Sequence, residues 1–310
     1  MSISTFYSHG KLLITAEYVV LDGALALALP TIKGQKMIVK TDQENKNYLL
    51  HWIAYNHKNE PWFETKINYK TWEIKNSTNT QFSETLKNIL IEASKQNDFF
   101  SQKVENFLVE NFLEFPNDWG LGSSSSFINN IANWLSVDAY SLLFNTMKGS
   151  GYDIACAKSE SPILYQLINN IPKIQAVEFY PKFHHQLYFI HLNAKQNSGI
   201  QVKKYKNRTA IDNKTLNSIT EITNKILACD EIDAFNQLII NHESYISNLL
   251  GESTIKQKLF SDYPHAMKSL GAWGGDFIMV VAKNNDDLNY FRKKGYDTII
   301  SFKEMIEIKD

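Results

Sequence analysis

The chain has little of what several specialised protein classes require. Only two of its 310 residues are cysteines, Cys156 and Cys229. That excludes a disulfide framework and a four-cysteine zinc site. No apolar run approaches the roughly 20 residues of a membrane-spanning helix; the longest, ALALALP at 24–30, is the size of a strand. The segment MSISTFYSHGKLL lacks a basic stretch followed by an apolar core, so no secretory signal is expected and the cytoplasm is the expected location. Neither sign of charge prevails: 32 Lys and Arg stand against 33 Asp and Glu, for a formal net charge of −1. A dedicated nucleic-acid binder needs a clustered basic excess, so neither nucleic acid nor membrane is an expected partner. The densest basic run, KKYKNR at 203–208, reads as a solvated loop. Short internal repeats and low-complexity linkers are also missing.

Several catalytic signatures are absent as well. Gly10-Lys11 lacks the upstream glycine and the downstream Ser or Thr of a P-loop, and no G-x-G-x-x-G stands between a strand and a helix. His242-Glu243 would open a zinc-protease motif, but the position four residues after His242 is Ile246. No G-x-S-x-G elbow presents Ser124 or Ser125 as a hydrolase nucleophile. His184-His185 has no cysteine or acidic cluster beside it and reads as a surface loop.

What is present is a globular composition, 44% hydrophobic and 21% charged, on a chain long enough to bury a substantial core. Short apolar and aromatic runs predict strands at 11–15, 24–29, 36–40, 48–55 and 103–112, with a helix at 83–94 between them. Helices are predicted after the Gly-Ser stretch and over 137–147, then a strand at 162–167. A second group holds a strand at 187–192, two long helices with apolar stripes at 216–226 and 235–249, a strand at 277–282, a helix at 288–294 and a strand at 297–301. The pattern predicts an α+β protein in two layers, with domains at 1–180 and 181–310.

One stretch stands out. In DWGLGSSSSF, two glycines and four serines directly precede the helical run FINNIANWL. A helix start leaves backbone N–H groups without partners, and with the helix dipole these make an anion site. A single serine would suffice for an ordinary N-cap; four exceed that need. Three further segments are candidates for a site: His9-Gly10-Lys11, Gly149-Ser150-Gly151-Tyr152-Asp153, and LGAWGGD at 270–276.

Taken in order, these segments resemble the GHMP kinases, the group that includes galactokinase, homoserine kinase, mevalonate kinase and phosphomevalonate kinase. GKLLITAEYVVLDGALALALP is similar to the family's first motif, GLGSSSS to its phosphate-cradling second motif, and GAWGGDF to its third. KGSGYDIACA and the Gly-Gly-Asp ending of the third motif are closest to the phosphomevalonate kinase branch.

The resemblance implies a two-domain fold, with an N-terminal ribosomal-S5-domain-2-like α/β layer and a C-terminal ferredoxin-like α+β domain. It implies ATP and Mg²⁺ as cofactors and a mevalonate-type acid or its phosphate as the small-molecule substrate, and it leaves a homodimer open. Asp153 then corresponds to the catalytic carboxylate, and Lys11 to the lysine that holds it ionised and offsets transferring charge. Gly120, Leu121, Gly122, Ser123, Ser124 and Ser125 would hold the phosphates, with Ser124 reaching magnesium. Glu17, Tyr18, Ser150, Gly151, Ser198, Gly274 and Gly275 would line the substrate.

Three departures accompany the resemblance. The stretch between Ser126 and Asp153 is short, and AYSLLFNTMKG within it carries no acid. Trp273 stands where the family has glycine, and an indole there is expected to crowd phosphate or stack on a base. Ala16 replaces the glycine before Glu17. Mevalonate kinase, another GHMP small-molecule kinase, a catalytically impaired binding module and diphosphomevalonate decarboxylase are the alternatives.

Overall fold

A computed structural model describes residues 2–147, 149–169, 171–194, 202–203, 205–206, 211–271, 273 and 275–307. The chain forms two compact units, each assembled from separated stretches. The first comprises Met1–Gly10, Lys33–Asn117 and Gly122–Lys158; the second comprises Lys11–Ile32, Asp118–Leu121 and Ser159–Asp310.

In the first unit the strands are β1 (Ser2–Leu13), β2 (Ala26–Asp42), β3 (Leu49–Tyr55), β4 (Pro61–Asn68), β5 (Glu73–Ser77) and β6 (Asn106–Leu113). The last residues of β1 and the first of β2 belong to the second unit. The order is β5-β4-β3-β6-β2, with β1 paired to β2. β3 runs parallel to β6 with Trp52 opposite Val109, and β6 runs antiparallel to β2 with Val109 opposite Val39. Burial alternates along β3 and β6, as in a sheet with one face on a core. Helix α1 (Thr80–Gln96) is capped by Asn79, whose side chain accepts from Phe82 N at 3.1 Å. With α2 (Ser123–Leu135), α3 (Ala139–Thr146) and α4 (Tyr152–Lys158), it builds a core around Trp52, Leu90, Ile131 and Ile154.

Two features of this unit differ from the sequence pattern. The runs at 24–29 and 36–40 belong to one strand, β2. Gly34 lets β1 come close, since a Cβ there would stand 2.2 Å from Ser8 O. β4 and β5 had no apolar-run signal: buried Phe63, Thr65 and Ile67 alternate with half-exposed polar residues.

In the second unit, residues 26–28 of β2 pair with β7 (Ile163–Ile168), which pairs with β8 (Ile171–Ala176). A four-stranded antiparallel sheet in the order β10-β11-β9-β12 is made from β9 (Leu187–His191), β10 (Met267–Ser269), β11 (Phe277–Val281) and β12 (Ile299–Ser301). Its helices are α5 (Asn213–Leu227), α6 (Ile232–Leu250), α7 (Ile255–Leu259), α8 (Asn285–Lys293) and α9 (Phe302–Met305). Ile190, Phe260, Tyr263, Ile278 and Phe291 form one core cluster. Thr223 on α5 anchors that helix, donating to Leu25 O at 2.9 Å and approaching Thr15 Oγ1 at 2.9 Å. No described helix is long and apolar enough to cross a membrane. The fold is α+β with two sheets, as the sequence pattern predicts.

Candidate functional site

In the second unit Lys11 is bound to the first half of the Gly-Ser stretch twice. Its amide donates to Leu121 O at 2.9 Å, and its ammonium donates to Gly120 O at 3.0 Å. The same stretch is pinned from below by β9 and β11. His191 Nε2 lies 3.2 Å from Asp118 O, and Trp119 meets Phe277 edge-on at 5.3 Å. Position 120 therefore sits where the main chain is held on several sides.

Asp276 closes the other side. Its carboxylate stands where a side chain at position 120 would go: a Cβ on Gly120 (φ +65) would lie 2.4 Å from Asp276 Cγ and Oδ2. Gly271 (φ +68) is also adjacent, with its added Cβ 3.5 Å from the same oxygen. Glycine is required at 120 by both conformation and space. Asp276 is itself in a left-handed conformation, φ 54, and its amide donates to Ala194 O at 2.7 Å. Lys11, Trp119, Gly120, Leu270, Gly271 and Asp276 line one narrow recess. Sequence reading missed Asp276, although its place at the end of Gly-Gly-Asp was a usable signal.

Trp273 is 5% exposed and its indole N–H has no partner among the described residues. Gly275 adjoins Asp276 in this segment. Gly274 and Ser198 lie outside the described residues, as do Lys204, Asn207 and Arg208 of the basic run.

In the first unit the second half of the Gly-Ser stretch is itself helical. α2 begins at Ser123, so all four serines are its first residues, and the N-cap is Gly122 at φ 83. The cap makes no side-chain hydrogen bond, so the opening amides are not taken up by a capping oxygen. Ser125 and Ser126 amides both reach Gly122 O, at 3.0 and 3.1 Å. Ser123 is half-buried, Ser124 exposed, and Ser125 and Ser126 buried.

A buried polar network fixes this helix end. Ser126 Oγ donates to Gln35 Oε1 at 2.9 Å, and Asn130 Nδ2 to Gln35 O at 2.9 Å. Ser8 Oγ in turn donates to Asn130 Oδ1 at 2.7 Å. α4 packs beside α2 and carries half-buried Asp153 in its first turn. Buried Ser150 and Gly151 at φ 89 precede it. Asp138, the acid nearest the short stretch, is used as the cap of α3, accepting from Ser141 N at 2.7 Å.

Glu17 and Tyr18 are buried in the second unit, at 1% and 8% exposure. The Glu17 carboxylate pairs with the ammonium of Lys268, itself fully buried. Lys268 also lies 3.0 Å from Glu243 Oε1 on α6. Burial pushes the Glu17 carboxyl up to about 7; Lys268 opposes that shift and Glu243 adds to it. Burial alone would lower Lys268, but Glu17 and Glu243 outweigh it and hold its ammonium above the usual lysine range. His242 Nε2 accepts from Ala16 N at 2.8 Å, which leaves the ring proton on Nδ1. Burial, and then Lys268, keeps His242 well below its ordinary value and therefore neutral. Nothing local in the sequence marked Lys268; its partners are remote in the chain.

Among the described residues no group of three or more His, Cys, Asp or Glu could hold a metal ion. A magnesium ion carried by phosphates asks less of a protein, one or two oxygen ligands being enough. The exposed hydroxyl of Ser124 and the carboxylate of Asp153 are oxygen donors of the right kind. The uncapped start of α2 is of the kind that phosphate groups occupy.

No protein-family model and no curated protein sequence matches the chain. Solved structures do. The mevalonate kinase of Methanococcus jannaschii is 17% identical, with 99% of each chain covered and a TM-score of 0.69. A Streptococcus pneumoniae phosphomevalonate kinase in complex with phosphomevalonate and AMPPNP is 14% identical, covering 97% of this chain and 100% of that one, at 0.68. The galactokinase of Lactococcus lactis, complexed with galactose, is 13% identical over 99% and 94%, also at 0.68. The chain thus has the GHMP kinase fold along nearly its whole length.

Proposed function

We propose that the protein is a Mg²⁺-dependent, ATP-using small-molecule kinase whose acceptor belongs to the mevalonate pathway, 5-phosphomevalonate before mevalonate. The observation that carries the reading is the double attachment of Lys11 to Gly120 and Leu121, beside a glycine-only space, in a GHMP kinase fold. The preference for a phosphorylated acceptor rests on the sequence alone, on KGSGYD and the Gly-Gly-Asp ending. ATP is the nucleotide of choice because the similar phosphomevalonate kinase was solved with AMPPNP.

In this reaction an acceptor oxygen attacks the γ-phosphorus, the bond to ADP breaks, and the acceptor's proton leaves. Asp153 orients that oxygen and takes the proton when the acceptor is an alcohol. A phosphomonoester is already ionised, and Asp153 then serves placement. Lys11 offsets charge on the transferring group. The amides of Gly120 through Ser124 would hold the nucleotide phosphates, the Ser125 amide being taken up by Gly122 O, and Ser124 would offer its hydroxyl to a magnesium ion, which would neutralise phosphate charge. Ser150 and Gly151, with Tyr18, Ser198, Gly274 and Gly275, are assigned to the acceptor; Glu17 acts there through Lys268. Asp153→Asn should lower ADP release by about 10²–10⁴-fold while AMPPNP binding survives. Unchanged turnover would remove Asp153 from its role.

A second reading, a nucleotide-binding module with impaired turnover, is favoured by one observation. Asp138 is committed to capping α3, so the short stretch supplies no spare carboxylate for a second metal ligand. That reading predicts AMPPNP binding without ADP release.

A further inference from the structure

Lys268, Glu17 and Glu243 form an ionic triad in the interior of the second unit, each at most 4% exposed. Three elements meet there. Glu17 follows β1, a few residues beyond Lys11. Glu243 and His242 come from α6. Lys268 and Ser269 are in β10, immediately before the segment 270–276. Every polar link crosses between these elements or stiffens one. Lys268 pairs with both carboxylates and donates to Ser269 O at 2.6 Å. Ser269 Oγ donates to Glu243 Oε2 at 3.0 Å, and Ala16 N to His242 Nε2 at 2.8 Å. Ala16 and Tyr18 are held left-handed at φ 66 and 65 beside these links.

A buried ion pair is a poor device for stability alone, because desolvation offsets most of the attraction and apolar residues of similar size do as well. What such a group does supply is a fixed register. Here the register is between two edges of one recess: Lys11 on β1, and Gly271 with Asp276 on the connection from β10 to β11. Lys268 cannot touch a substrate, being fully enclosed. It can bear on how far apart those edges stand, since Glu17 lies six residues past Lys11 and Ser269, whose carbonyl Lys268 also holds, lies two before Gly271.

We propose that Lys268 is a positioning residue of the phosphoryl-transfer site, its links to Glu17 and Glu243 holding Gly271 and Asp276 in register with the strand that carries Lys11. This rests on the kinase reading above. The role is separable from folding by charge balance. Lys268→Met leaves two buried carboxylates without a cation, whereas Lys268→Met with Glu243→Gln removes one charge of each sign.

The test measures melting temperature, AMPPNP affinity, and kcat and KM for ATP in wild type and both variants. Lys268→Met should lower the melting temperature by roughly 10 °C. The double variant should regain at least half of that loss, yet bind AMPPNP about tenfold more weakly than wild type and show a tenfold lower kcat/KM. A double variant that regains both stability and wild-type kinetics overturns the proposal, making the triad structural only. So does a Lys268→Met protein as stable as wild type, or a double variant that does not fold. Wild type that neither binds AMPPNP nor releases ADP overturns the kinase reading and the positioning role together, and that result comes from a different arm of the experiment.

Discussion

Gly120 and Asp276 fit together so closely that one methyl group would separate them: a Cβ on Gly120 would stand 2.4 Å from the Asp276 carboxylate. Gly120→Ala should therefore destabilise the fold by about 2–4 kcal/mol, through a left-handed alanine and through the clash. Asp276→Ala should remove the two 2.4 Å contacts while its own Cβ stays 2.9 Å away, so the clash is relieved in part and the conformational cost remains. A four-variant urea cycle should then show a coupling of about 1 kcal/mol or more between the two positions. Additive effects would place the Asp276 side chain elsewhere.

The polar network beneath α2 gives a second prediction. Asn130→Ala removes the acceptor of Ser8 Oγ, which keeps only its bond from Asn129 Nδ2, and the side-chain donor to Gln35 O, both buried. It should cost about 2–3 kcal/mol in denaturant unfolding. Asn133→Ala, exposed on the same helix, should stay within about 0.5 kcal/mol of wild type. Equal costs would show that the network does not fix the helix.

Legibility in the sequence followed the range of the interactions. β3, β6, α1, α5 and α6 were readable because their apolar periodicity is local. β4 and β5 were not, since the buried face of β4 includes Thr65 with polar residues opposite, and β5 buries no residue. The Gly-Ser stretch was legible as an anion-type feature, but its helix starts at Ser123, because Gly122 takes the left-handed cap. The bond of Lys11 to Gly120 O had no signal in the sequence. Lys268 meets Glu17, and Asp276 meets Gly120, across more than a hundred positions, contacts that a single sequence does not show; only the Gly-Gly-Asp ending pointed to Asp276.

Buried Glu17 and His242 make stability depend on pH in two opposing ways. Folded Glu17 keeps its proton to about pH 7, against an ordinary value of 4.5. Its contribution is therefore complete below 4.5 and lost as pH rises through 7. His242 is held below its ordinary 6.5, so its contribution is complete above 6.5 and lost as pH falls below that value. Between 4.5 and 6.5 the two slopes cancel in part. Relative to wild type, Glu17→Gln should gain stability with rising pH across this window, by up to about 1.4 kcal/mol per pH unit. His242→Asn should lose it with the opposite slope. Parallel profiles for wild type and Glu17→Gln would mean that Glu17 titrates as an exposed acid.

Lys11→Met removes the charge placed at Gly120 O. Its kcat should fall by about 10²–10³-fold, with a smaller rise in KM for ATP. A change confined to KM would make Lys11 a ground-state binding group only.

The central claim is that this GHMP kinase fold turns over ATP on a mevalonate-pathway acceptor. The most direct test is Mg²⁺-dependent ADP release with mevalonate, 5-phosphomevalonate, homoserine and galactose, with the product analysed for loss of carbon dioxide. The account predicts ADP release with 5-phosphomevalonate, stoichiometric formation of a diphosphate product and no carbon dioxide. Folded protein that binds AMPPNP but releases no ADP with any of the four acceptors would contradict it.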